Sequence, residues 1–460
     1  MVNGLSEKRE KIALFERKFK GEINKLLENI QVVPSSDNAY DTYDCLKTQL
    51  VANANVQIKT QLGMFTILPR ELILVFFDHI PTNYLVKLSV LSKCFNELVL
   101  SYTLSGGATL RFTRESKRLL TDEEKMSGKD PFHCLILKSV TITFHSVKRR
   151  AYLRQFFHKN KVINDCYGWG RLFISFCGNW HFAECDKLMH DIMEFDNGFL
   201  KKLLHRVLTG KVGEFPDCEI LVRRHLRGFF LDHEFKDPRD SIFWLSALIG
   251  CHDPIARRSR LLMILYGPTK FVNEKETIDW DILSNTTLRN FFESSEKIGP
   301  LSLSLSRIMT SECIQFNKYI WSENDLFNLM EDMTTSPEPW TLDNFVALLA
   351  HRPALIPVAF INRAIHGHTR EIGQLFVQMK TVLYRWNINI YRALMDPLAS
   401  TMKALPAAYK RTFLASIYES EAELLKELLS NEPFRRWKFM EELASLHSIS
   451  QLMDALIANI

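Results

Sequence analysis

Apolar residues along this chain recur mostly at three- and four-residue steps, the spacing of one face of an α-helix. The first such stripe is Ile12, Phe15, Phe19, Ile23, Leu26 and Ile30, which predicts an amphipathic helix over 6–30, within an N-terminal segment of 1–31, that Ser6 can cap. Residues 32–65 read as a linker, opening on the polar stretch VVPSSDNAYDTYD at 32–44. Three short stripes then crowd into 66–104: Leu72, Phe76 and Ile80, widened by Ile73 and Phe77; Tyr84, Leu85 and Leu88; and Leu91, Phe95, Leu98 and Tyr102. Thr66 is placed to cap the first of these helices and Pro69 suits its first turn, because the N–H that proline lacks has no helical partner there. Pro81 stops that helix and Thr82 can cap the next.

Residues 105–149 read as an irregular connector, with Gly106-Gly107 and a charged run from Arg114 to Lys129. Within it ILKSVTITF at 136–144 fits a short strand and a helix-packing linker equally. From 150 to 460 the pattern is helical nearly throughout. Helices are predicted near 150–164, 168–177, 182–195, 197–208, 217–232, 239–249, 254–265 and 277–293, with more beyond. They are separated by breakers such as Gly178-Asn179, Pro216, Pro238, Pro254, Gly267-Pro268, Pro337, Pro339 and Pro397. No repeat of fixed period emerges, and WD40, kelch and leucine-rich signatures are absent. The predicted fold class is all-α: a three-helix unit followed by an irregular array of helical hairpins.

Composition adds limits. With 46% hydrophobic and 24% charged residues the chain reads as a soluble globular protein. No run of eighteen apolar residues occurs; Leu342–Ile361 comes closest and is broken by His351, Arg352, Pro353 and Pro357, so no membrane span is expected. A net charge of +5 over 460 residues does not by itself imply nucleic acid, and no direct nucleic-acid contact is expected. The nine cysteines lie singly, without a CxxC, and residues 1–30 are charged throughout, which points to reduced thiols in the nucleus and cytoplasm.

The 66–104 unit has little core of its own for its apolar content, and a helix apolar over more than half its circumference needs cover on two sides. One side is its own core; the other calls for the rest of the chain or a second protein. Leu68-Pro69-Arg70-Glu71-Leu72, followed by Leu85-x-x-Leu88-Ser89-x-Leu91-Ser92-Lys93-x-Phe95-Asn96-x-Leu98, resembles an F-box. It departs at Ser92, where many F-boxes have Cys, and at Cys94-Phe95, where many have Arg-Trp. The resemblance implies docking to a Skp1-like protein through Leu68, Pro69, Leu72, Ile73, Phe76, Leu85, Leu88, Leu91 and Phe95, and through it to a cullin-1-type scaffold.

Between about 165 and 375 the chain resembles the F-box-only protein 47 family. Phe230-Leu231-Asp232-His233, Asp240-Ser241, Phe243-Trp244-Leu245, Arg260-Leu261-Leu262 and Tyr266-Gly267-Pro268 carry this likeness, with Trp340, Asn344, Phe360, Ala364, Gly367, Thr369 and Glu371. That resemblance implies a germline role in meiotic progression.

No catalytic constellation is present: no GxSxG, Walker loop, HExxH or GxGxxG, and no paired cysteines for a RING. No cofactor is expected. Cys177, His181 and Cys185 stand at four-residue steps, but Gly178-Asn179 breaks the shared face and a fourth ligand is missing, so core cysteines are the favoured reading. His366-Gly367-His368 reads as a turn between two helices, and Phe243 and Trp244 as core. The expected function is substrate recognition for a Skp1–cullin–F-box ubiquitin ligase, with catalysis supplied by the attached RING and E2. The 150–460 region would recruit an unknown protein, with Arg149, Arg150, Arg154, Arg223, Arg224 and Arg227 as a basic surface for acidic or phosphorylated segments. The alternatives are a Skp1-bound scaffold at chromosomes without ubiquitin transfer, and a plain helical scaffold.

Overall fold

The computed structural model describes residues 65, 67–117, 132–160, 166–177, 180–233, 241–281, 290–310, 321–335, 341–430 and 436–458. The chain divides into two units, Met1–Leu68 and Pro69–Ile460. The helix expected over 6–30, the loop at 32–44 and the cap at Thr66 lie outside the described residues, as do Gly178-Asn179, Asp240 and Trp340.

The second unit opens with α1 (Arg70–His79), α2 (Thr82–Leu91) and α3 (Lys93–Thr103). Ser92 ends α2 and caps α3, its hydroxyl accepting from the Phe95 N–H at 3.2 Å. Two helices then occupy the connector that the sequence left irregular, α4 (Gly106–Lys117) and α5 (Phe132–Thr141). Gly106-Gly107 is not a break. Ser105 caps α4 by accepting from the Ala108 N–H at 3.2 Å, and a Cβ on Gly107 would lie 2.3 Å from the Asp78 carboxylate, so glycine there serves close packing. In α5 the β-branched run is held helical by burial of Ile136, Leu137 and Val140, and by Ser139 and Thr141 hydroxyls donating to the Ile136 and Leu137 carbonyls at 2.8 and 2.7 Å. Tertiary cover outweighs the intrinsic preference of the run.

The helical region continues through α6 (Ser146–Lys159), α7 (Cys166–Cys177), α8 (Phe182–Met193), α9 (Phe195–Thr209) and α10 (Pro216–Leu226). A single π-helical turn, Arg227–Leu231, extends α10. Next come α11 (Ser241–Gly250) and α12 (Ile255–Tyr266), the latter stopped at Gly267. Of the helix expected over 277–293, the described residues 277–281 are not helical and helix resumes only at Phe291. A two-stranded antiparallel hairpin, β1 (Thr269–Val272) with β2 (Lys275–Ile278), takes the start of that range. Asn273 and Glu274 both have positive φ, 49° and 64°, as a tight two-residue hairpin turn requires.

Beyond it lie α13 (Phe291–Lys297), α14 (Gly299–Thr310), α15 (Glu323–Thr335) and α16 (Leu342–His351). A 3-10 turn, Pro353–Leu355, leads into α17 (Ile356–Ile365), and α18 (Thr369–Arg385) and α19 (Ile390–Ala404) follow. The chain closes on α20 (Ala407–Ser430) and α21 (Arg436–Ile457). Pro397, expected to separate helices, sits buried inside α19, whose Thr401 hydroxyl donates to the Pro397 carbonyl at 2.9 Å. Among the described residues no single helix is long and apolar enough to cross a membrane; the most apolar pair, Leu342–His351 and Pro353–Ile365, is bent by 116°.

The core is aromatic. Trp169 of α7 contacts Phe156 and Phe157 of α6 at ring-centroid distances of 5.9 and 6.5 Å. Phe173, one turn further, meets Phe229 and Phe230 of the π turn at 5.3 and 5.7 Å. A Cβ on Gly170 would lie 2.3 Å from the Phe229 carbonyl oxygen, so α7 and the π turn approach as closely as they do only because residue 170 has no side chain.

Candidate functional site

Helix α1 begins directly after Pro69, whose carbonyl accepts from the Leu72 and Ile73 N–H groups at 3.1 and 3.2 Å. One face of α1 is buried, through Ile73, Phe77 and the following Ile80. Phe77 packs edge-on against Tyr102 of α3 at 5.7 Å, and burial pushes the Tyr102 phenol up to about 12, so it stays protonated. The guanidinium of Arg111 on α4 clamps the α1–α2 turn, donating to the Phe77 and Ile80 carbonyls at 3.3 and 2.9 Å and to the Thr82 hydroxyl at 2.5 Å. Arg70 donates to the Ser101 hydroxyl at 2.6 Å, which ties the start of α1 to α3.

The opposite face of α1 is apolar and uncovered. Leu72 is 54% exposed and Val75, one turn on, is 55% exposed; Pro69 is exposed and Phe76 half-buried. Leu68, which precedes the helix in the other unit, is half-buried. On α2, Val90 is exposed and Leu91 half-buried.

The nine expected docking residues therefore separate. Pro69 and Leu72 are presented to solvent, and Leu68, Phe76 and Leu91 in part. Ile73, Leu85, Leu88 and Phe95 are buried within the chain, at 3%, 0%, 2% and 7% exposure. They belong to the core that holds the three helices together. Hydrophobic spacing marks both faces alike, so it does not say which face the same chain covers. Val75 and Val90 escaped the sequence reading; the three-residue step from Leu72 to Val75 was the available signal.

The unit is anchored to the rest of its domain. Helix α5 lies across α2, with the Ser89 and Ser139 hydroxyls bonded at 2.7 Å. The Thr103 and Tyr152 hydroxyls bond at 2.6 Å, and the Lys159 ammonium donates to the Leu104 carbonyl. The exposed apolar face of α1 is thus carried on a braced platform.

Each of the six arginines lies against a partner within the chain. Arg149 pairs with Glu184 at 3.2 Å, and Arg150 and Arg154 both pair with Asp191 of α8, Arg154 at 3.6 Å. Arg223 donates to the Ile264 and Gly267 carbonyls at 3.1 and 2.8 Å, where it closes the end of α12; burial lowers it to about 10, still charged at neutral pH. Arg224 pairs with Glu276 at 2.8 Å and Arg227 with Asp232 at 3.1 Å. The sequence shows the cations but not the carboxylates and carbonyls that folding sets against them.

Cys177 and Cys185 are fully buried, and His181 caps α8 by accepting from the Ala183 N–H at 3.3 Å. His366 and His368 flank the positive-φ Gly367 in the turn from α17 to α18. Among the described residues no group of three or more His, Cys, Asp or Glu is placed to hold a metal ion. Phe243 and Trp244 are core, at 4% and 0% exposure.

Comparison with known proteins bears on both regions. Residues 65–104 match the F-box domain, and residues 196–460, more than half of the chain, match a family described as FBXO47, ARM repeats. Mouse F-box only protein 47 is 23% identical over 422 residues, 85% of this chain and 86% of the mouse protein. Its human counterpart is 20% identical over 392 residues, 80% and 82% of the two chains. No solved structure matches. The helical array in which the sequence showed no fixed period thus matches, over 196–460, a family described by ARM repeats.

Proposed function

Because the chain belongs to the FBXO47 family and carries an F-box, we propose that it is the substrate-recognition subunit of a Skp1–cullin–F-box ubiquitin ligase. The observation that supports this reading is the uncovered apolar face of α1, Leu72 and Val75, on a three-helix unit braced by Arg111 and α5. A Skp1-like protein supplies the cover that this face lacks, and a cullin-1-type scaffold joins through it. The chain itself does no chemistry. It acts by proximity: a protein held by the helical array has its lysines kept near a thioester-charged E2, which raises their effective concentration. The reading extends, on family resemblance, to germ cells in meiosis, and on the singly placed cysteines to the nucleus and cytoplasm.

The test compares surface and core variants. Leu72→Glu with Val75→Glu places two charges in the docking face and should weaken Skp1 capture by about thirtyfold or more, the result of roughly 2 kcal/mol or more of desolvation cost, with the helical content unchanged. Leu68→Ala with Pro69→Ala should also abolish co-purification of Skp1 and leave the 150–460 region folded. Leu85→Ala, at a residue with 0% exposure, should instead cost about 2–5 kcal/mol of folding stability and lose Skp1 only through loss of the platform. Undiminished capture by both surface variants rejects the docking face. Capture of Skp1 without cullin, and without ubiquitin transfer, leaves a scaffold.

A further inference from the structure

The end of α8, one face of α9 and the turn from α11 to α12 line a cleft of about 910 Å³. Its floor is apolar, formed by the largely buried Met193 of α8 and Leu204 and Leu208 of α9. Around that floor stand one carboxylate, Glu194, and three cationic side chains, Lys201, Lys202 and Arg257. Glu194 is committed to Lys201, at 2.9 Å. Lys202 is exposed and makes no side-chain hydrogen bond or ion pair with the described residues. Arg257 is half-buried; its guanidinium donates to the Asp253 carbonyl at 2.9 Å, while the Asp253 carboxylate is taken by Arg258. Two of the three cations therefore face the cleft without a carboxylate of their own. The ring of His252, at the turn, responds to the same field. Burial is the largest effect lowering it to about 4, and His190, Arg257 and Arg258 push it the same way against Asp253 alone, so it is an uncharged part of the lining at neutral pH.

An apolar floor beside unneutralised cations is complementary to a ligand with both characters. Covering the floor removes apolar surface from water, which favours binding. Ammonium and guanidinium N–H groups form charge-assisted bonds to a carboxylate or phosphate, and a half-buried Arg257 is screened less by salt than a fully exposed charge. A neutral ligand leaves both cations unused, and a cationic one meets like charge. The volume falls in the range of sites that enclose an organic group. We propose that this cleft binds an amphipathic anion, a large apolar side chain with a carboxylate or phosphate beside it, carried on a segment of the protein that the chain recruits. The apolar part lies on Met193, Leu204 and Leu208, and Lys202 and Arg257 take the anionic group. The proposal deepens the adaptor reading and rests on it for the source of the ligand; the preference of the cleft itself does not depend on Skp1.

Phenylbutyrate, phenylbutanol and phenylbutylamine share one apolar body and differ in charge. Titrated into the full chain and followed by ligand-detected NMR, the carboxylate should bind ahead of the alcohol by about fivefold or more, and the amine should bind least. Lys202→Glu with Arg257→Glu should reverse that order. Thr209→Trp, at an exposed position on the cleft, should obstruct it and weaken all three probes. Arg224→Gln, at an exposed arginine outside the cleft, should change nothing. Circular dichroism checks that each variant keeps its helices. Should the double variant fail to fold, Lys202→Glu at its exposed site decides alone, through loss of the carboxylate's advantage. Phenylbutyl phosphate bound well above phenylbutyrate identifies a phosphorylated side chain as the ligand, and equal binding of those two identifies a carboxylate as sufficient. The proposal is overturned if phenylbutyrate does not bind at millimolar concentration, if it binds no better than the alcohol, or if the order survives the double variant. Skp1 capture by the double variant should stay normal. If the wild-type chain binds phenylbutyrate but no Skp1, the adaptor reading fails and the cleft remains.

Discussion

Lys380→Met lowers the stability of the chain by about 3–5 kcal/mol, the usual cost of removing one partner from a buried ion group. Lys380 is 1% exposed and donates to Glu421 at 2.7 Å and to Glu442, both also buried. It therefore joins α18 to both closing helices, α20 and α21. Methionine fills the same space but leaves two carboxylates without a counter-charge. The group also sets a pH dependence. Burial, the largest effect, raises the Glu421 carboxyl above its ordinary range, Lys380 opposes this, and Glu442 adds to the rise. A carboxyl raised in the folded state takes up a proton on folding. Its contribution is fully present below the unfolded pKa and is lost as pH rises through the folded one. Stability in urea should thus fall as pH rises above the ordinary glutamate range, and Glu421→Gln should flatten that slope. Unchanged denaturation midpoints in Lys380→Met would show that the three groups contribute nothing net.

Trp244→Ala should cost about 3–5 kcal/mol, from lost burial and from a cavity that its neighbours cannot fill. The indole is fully buried, with ring centroids of Phe173, Phe230 and Phe243 at 5.2, 5.5 and 4.9 Å. These rings come from three separate elements, α7, the π turn and α11, so relaxation around the cavity requires all three to move together. Trp244→Phe should recover part of the loss. Thermal melts read the effect directly. A Trp244→Ala chain that melts like the wild type while losing a bound client would move Trp244 from the core to the recruitment surface.

Much of the organisation was legible from residue order. Three- and four-residue apolar spacing predicted most helices between 150 and 265 within a few residues, because helix-forming periodicity is local. The Leu68-Pro69-Arg70-Glu71-Leu72 start and the leucine spacing after it were enough to place the F-box, since that motif is short and contiguous. Where local preference and tertiary cover disagreed, the local reading failed. The Ile136–Thr141 run is β-branched yet helical because α2 and its own buried face hold it, and Pro397 is tolerated within a buried helix. The hairpin at 269–278 was hidden because its turn uses Asn-Glu where Asn-Gly is the usual signal.

By itself the sequence determined that the chain is helical, that residues 66–104 form an apolar three-helix unit needing cover from the rest of the chain or a second protein, and that no familiar catalytic motif is present. Only the tertiary structure decided that Leu72 and Val75 face outward while Leu85 and Leu88 do not, and that Arg149, Arg150, Arg154 and Arg224 are spent on ion pairs. It also brought Met193, Leu208 and Arg257, far apart in the chain, around one cleft. Spacing along a helix is a property of neighbours in the chain, whereas burial and charge pairing depend on which distant segment folds against them.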